Sequence, residues 1–144
     1  MCFNKLALTL SVVILLTTLA CSSEASTDLT RCITPDTISV QQLASGLTVS
    51  GEGSLRGAQA VRSKDITDMW FLAADIQGPG MDSPNEIGVW AVSAIEGAGI
   101  APAMWADGYA QNFSTWGTAR KDRWFSPNTD GIAESKACVE HLLR

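Results

Sequence analysis

With 144 residues, 46% of them hydrophobic, the chain has the length and make-up of one globular domain. A formal charge of −5 argues against nucleic acid as a partner, because such proteins neutralise phosphates with Lys and Arg. A single histidine excludes a His-cluster metal centre.

Lys5, followed by the uncharged run Leu6–Ala20, gives a short positive end and a 15-residue apolar stretch. Crossing a bilayer takes about 20 such residues, so residues 1–20 read as a secretory signal peptide. The run ends in Thr17-Thr18-Leu19-Ala20-Cys21. That stretch resembles the lipobox of bacterial lipoproteins, in which a small residue precedes a cysteine that receives a diacylglyceryl group and becomes residue one. Ala20 supplies the small residue, while Thr18 departs from the Leu usual in that family. The resemblance covers only this N-terminal segment. It implies lipidation at Cys21 and a protein anchored in the cell membrane on its extracytoplasmic face. Cleavage after Ala25 would instead release a soluble secreted chain. Residues 21–31, polar through Ser22–Asp28, read as a tether, and residues 32–144 as one domain.

The cysteines bear on this choice. The chain has Cys2, Cys21, Cys32 and Cys138. Lipobox processing removes the first and modifies the second, leaving Cys32 and Cys138 to form a disulfide in an oxidising compartment. Cleavage after Ala20 without acylation would leave an odd thiol, whereas cleavage after Ala25 would leave the same two cysteines as the lipobox.

Within the body, Thr34-Pro35-Asp36 reads as a helix start, with Thr34 as cap, Pro35 in first position and Gly46 as the stop. Two short extended pieces flank Gly51-Glu52-Gly53, the second carrying an alternating pattern through Ala58–Ser63. Met69–Ile76 is apolar on nearly both parities, as is Ile87–Ile95, so both read as central strands. The Gly/Pro/Asn-rich loop between them makes the pair antiparallel. A third piece, Gly99–Ala106, extends the sheet at an edge or a bulge, since Pro102 lacks the amide a central strand needs. Asp107 caps a predicted helix carrying Tyr109, Phe113 and Trp116 on one face and ending at Gly117. An amphipathic helix over Ile132–Leu143 closes the chain. The predicted fold is α+β: a small antiparallel sheet of three to four strands packed on one face against N-terminal and C-terminal helices.

Five short stretches together give the body a family look: Ala60-Val61-Arg62-Ser63, Trp70–Ala74, Gly88–Ala91, Phe113–Gly117 and Ala137-Cys138-Val139. In these the body resembles small exported proteins of actinobacterial type that carry no assigned function. Such a resemblance implies export and brings no catalytic residue.

The chemistry-bearing residues are few. His141 falls in the last turn of the terminal helix, where a solvated side chain suits the helix dipole. Asp65, Asp68, Asp75, Asp82 and Glu86 are the carboxylates from which an acid–base pair could be drawn, Asp75 foremost because apolar neighbours share its face. Asp82–Glu86 offers oxygen ligands without the rhythm of a calcium loop. Trp70 and Trp90 read as core. Arg120, Lys121 and Arg123 stand beside Trp124 and Phe125, a basic aromatic loop suited to a partner or to lipid headgroups, or else folded back onto the core. The expectation is a membrane-anchored interaction module for an unspecified protein or small-molecule ligand, with no cofactor, no metal and no nucleic acid. A small carboxylate-dependent hydrolase and a self-associating envelope protein are the alternatives.

Overall fold

The structure is a computed structural model and describes residues 28–81, 86–97, 103–117 and 125–144. After a 3-10 turn at Leu29–Arg31 come α1 (Thr37–Ala44), β1 (Ser54–Arg62), β2 (Trp70–Gln77), β3 (Ile87–Val92), β4 (Trp105–Ala106), α2 (Gly108–Phe113) and α3 (Ile132–Leu142). The strands form one antiparallel sheet in the order β1-β2-β3-β4. The α+β class and the small sheet between helices therefore hold as read from the sequence.

The sheet is covered on both faces, not one. Leu72, Ala74 and Ile76 of β2 and Trp90 and Val92 of β3 face Leu43 of α1 and Ala110 of α2. Phe71, Ala73, Val89 and Ala91 point the other way and meet Ile132 and Val139 of α3. The cause lies in β2 itself: a strand apolar on both parities has two faces to remove from water. Trp90 is wholly buried, and its indole nitrogen donates to Ser114 Oγ at 3.2 Å, so its one polar atom is satisfied.

Three local boundaries differ from expectation. Asp36, not Thr34, caps α1, its Oδ1 accepting from the Ser39 amide at 2.6 Å. The same carboxylate takes the Gly97 amide on Oδ2 at 2.7 Å, so its two oxygens serve α1 and the 93–97 turn at once. Next, α2 ends at Phe113, because Ser114 is extended and bridges Leu47. Trp116 thus leaves the helix, and its indole nitrogen donates to the Leu43 carbonyl at 2.6 Å. Finally, β3 stops at Val92, although Ile95 beyond it is buried.

β1 is an edge strand. Its register with β2 slips by one residue between Arg56 and Gln59, and Gly57 takes φ +63° there. Further along the same edge Ile33 exchanges two backbone bonds with Ala60, of 2.9 and 2.8 Å. No helix among the described residues is long and apolar enough to cross a membrane.

Candidate functional site

The N-terminal approach to the domain is tied down twice. Cys32 and Cys138 form a disulfide, with Cα atoms 5.8 Å apart and a sequence separation of 106. Beside it Arg31 grips Asp130 with both terminal nitrogens, at 2.9 and 2.7 Å, and also reaches the Arg62 carbonyl at 2.6 Å. Asp130 Oδ2 takes the Lys64 amide as well, at 2.7 Å. The Arg31 guanidinium, with the Lys64 amide in support, pulls the Asp130 carboxyl down to about 2. In turn the Asp130 carboxylate raises the pKa of Arg31.

Among the described residues the candidate carboxylates do not assemble into a pair. Asp75 is fully buried on the α3 face, where Arg56 binds its Oδ2 through Nη2 at 2.6 Å and Nε at 3.0 Å. Gln77 donates to the same oxygen at 2.9 Å, while Oδ1 has no partner. The β2–β3 register sets Asp75 opposite Ile87. Glu86, one residue earlier, therefore projects to the opposite face, on the side where Tyr109 packs. Burial, and then the Glu86 carboxylate beside its hydroxyl, push the Tyr109 phenol well above its ordinary range. Asp65 and Asp68 are exposed, and Asp68 pairs with Arg62 at 3.1 Å. His141 is exposed at the end of α3. Asp82, and with it most of the candidate calcium loop, lies outside the described residues. Among the described residues no three His, Cys, Asp or Glu side chains are grouped to hold a metal ion.

Of the basic aromatic loop, Arg120, Lys121, Arg123 and Trp124 lie outside the described residues, as does Cys21. Phe125 is described, and it folds back: its ring stands edge-on to Phe71 at 5.5 Å and to Trp105 at 5.3 Å. Phe71 and Trp105 close the triangle at 6.4 Å. Such edge-to-face contacts add about 0.5–1.5 kcal/mol each beyond burial, so Phe125 is held by the core.

What the sequence reading missed is a pair of surface depressions on either side of residues 33–35. One, of about 300 Å³, runs along the β1 edge between Pro35 and Val40 on one side and Leu55, Ala58 and Leu142 on the other. The second, of about 280 Å³, is lined by Ile33, Trp70, Ser93, Ala94, Ile95 and Glu96. Trp70, read as core, is only partly buried, and the Arg62 guanidinium lies 5.9 Å from the centre of its indole. The 93–97 turn that walls this depression is fixed by α1, through Asp36 N to the Ile95 carbonyl at 3.1 Å and Gly97 N to Asp36 Oδ2. Residues from three separate stretches meet there, so no local motif could have announced it.

No protein-family model, no curated protein and no solved structure matches the chain.

Proposed function

We propose that the protein is a lipid-anchored binding module of the extracytoplasmic face of a bacterial cell membrane, anchored through Cys21. The observation that carries this reading is the Cys32–Cys138 disulfide, which uses the two cysteines that lipobox processing would leave. A stable disulfide in a small domain belongs to an oxidising compartment. The tether is short: ten residues lie between Cys21 and Cys32, a reach of at most about 40 Å. The domain would therefore work close to the lipid surface, with Arg120, Lys121 and Arg123 as candidates for contact with headgroups or an acidic partner. Binding, and not hydrolysis, is supported because Asp75 is engaged by Arg56 and shares no face with Glu86.

Intact mass of the chain recovered from the membrane fraction tests the anchor. A polypeptide beginning at Cys21 with a diacylglyceryl group is expected. An unmodified polypeptide beginning at Ser26, found in the medium, would replace the anchored protein with a secreted one.

A further inference from the structure

We infer that the depression beside Trp70 is a binding site for a neutral sugar ring, a pyranose laid against the indole. The inference rests on the binding half of the reading above and is independent of the anchor. Its apolar part is Trp70 with Ile33 and Ile95; its polar part is the Ser93 hydroxyl and the exposed Glu96 carboxylate. A pyranose has the matching division, one face of C–H groups and a rim of hydroxyls. The first stacks on an aromatic plane, and the second donates to a carboxylate and exchanges bonds with a hydroxyl.

Other ligand classes fit less well, for reasons visible in the site. An anion would meet Glu96, in a domain already of charge −5. A quaternary or primary ammonium needs an aromatic cage, and Trp70 is the only ring in the lining among the described residues. A lipid chain would have to place methylenes against Glu96 and Ser93 in a hollow open to water. The volume of about 280 Å³ suits one or two sugar rings.

The site is also built rather than incidental. Its two walls are fixed in the backbone, Ile33 by its double bond to Ala60 and the 93–97 turn by Asp36. A shallow site that already has its shape loses little freedom on binding, and a dissociation constant of about 1 mM is the expected scale.

The test uses the full chain in a polyoxyethylene detergent, labelled with ¹⁵N at its five tryptophan indoles. Cellobiose, maltose and N,N′-diacetylchitobiose are titrated, with tetramethylammonium chloride as the cationic probe. Trp70→Phe identifies the Trp70 signal by its disappearance. At least one disaccharide should move that signal in a saturable way and leave the signal of buried Trp90 in place. Glu96→Gln, at an exposed position, should weaken that binding about tenfold, the scale of one hydrogen bond to a charged acceptor. Movement of Trp70 by tetramethylammonium and by no sugar would overturn the ligand class while leaving a binding module. No movement with any probe, or an affinity unchanged by Glu96→Gln, would overturn the site itself. None of these results bears on the mass of the anchored chain.

Discussion

Removing the disulfide with the double change Cys32→Ala and Cys138→Ala should cost this domain a large share of its stability. The bridge spans 106 residues, nearly the whole body. Loop-closure entropy for such a span amounts to about 16 cal/mol/K, or about 4.7 kcal/mol at room temperature. A body of this size unfolds with an entropy of about 0.24 kcal/mol/K, so the midpoint of thermal unfolding should fall by about 20 °C. The effect acts chiefly on the unfolded chain, which gains freedom when the cross-link goes, so the native packing should remain. Urea unfolding followed by tryptophan fluorescence separates these contributions. The variant should show a lower midpoint together with a steeper dependence on urea, since its unfolded chain exposes more surface. Native near-ultraviolet circular dichroism should be unchanged in the absence of denaturant. A loss under about 1 kcal/mol with an unchanged slope would refute the reasoning. It would mean that the unfolded ensemble keeps its two ends together without the bridge.

The Arg31–Asp130 pair predicts a pH dependence in the acid range. Because the folded pKa of Asp130 is about 2, below the usual carboxylate value, its contribution is complete above about pH 4 and is lost as pH falls towards 2. With the Asp130 side chain only 21% exposed, that contribution is about 2 kcal/mol, and Asp130→Asn should flatten this part of a stability–pH profile. An unchanged profile in the variant would show that the pair contributes nothing to folding. Two glycines with positive φ give a matched comparison. At Gly117 (φ +75°) an added Cβ would stand 2.5 Å from the Ala106 nitrogen, in the backbone of β4, whereas at Gly97 (φ +90°) it would meet nothing within 4 Å. Gly97→Ala should cost only backbone strain, about 1–2 kcal/mol, and Gly117→Ala clearly more. Equal losses in chemical denaturation would show that β4 moves aside without cost.

Much of the fold was legible because the strands are strong signals. Met69–Ile76 is apolar on nearly both parities, the mark of a strand with two covered faces, although that consequence becomes plain only when both helical layers are seen. The disulfide was legible from arithmetic, since lipobox processing or cleavage after Ala25 would leave Cys32 and Cys138 as a pair. The helix ends were less so, because they are settled by partners distant in sequence. Two capping-competent residues, Thr34 and Asp36, stand on either side of Pro35, and the choice falls on Asp36 through a bond to Gly97, 61 residues away. Trp116 sits at helical spacing from Tyr109, but Ser114 spends its hydroxyl on the Ala110 carbonyl and its backbone on Leu47, and the helix ends there. The depression beside Trp70 is the extreme case, since its lining is drawn from residues 33, 70 and 93–96.

The five residues from Cys32 to Asp36 join these threads. Cys32 fixes the chain to α3, Ile33 adds one rung to the β1 edge, and Pro35 is buried as a wall of the edge groove. Asp36 then caps α1 and holds the turn on which Glu96 stands. The covalent staple and the walls of both depressions are therefore consecutive in the chain. Had the disulfide served only to raise stability, any well-spaced pair of cysteines would have sufficed. Placed immediately before Ile33, it also limits how far one wall of the Trp70 depression can move. A segment whose backbone is constrained at residues 32, 33 and 36 has little freedom left to lose when a ligand arrives. In a domain with so few polar groups facing that hollow, rigidity of the walls is the main physical source from which affinity could come.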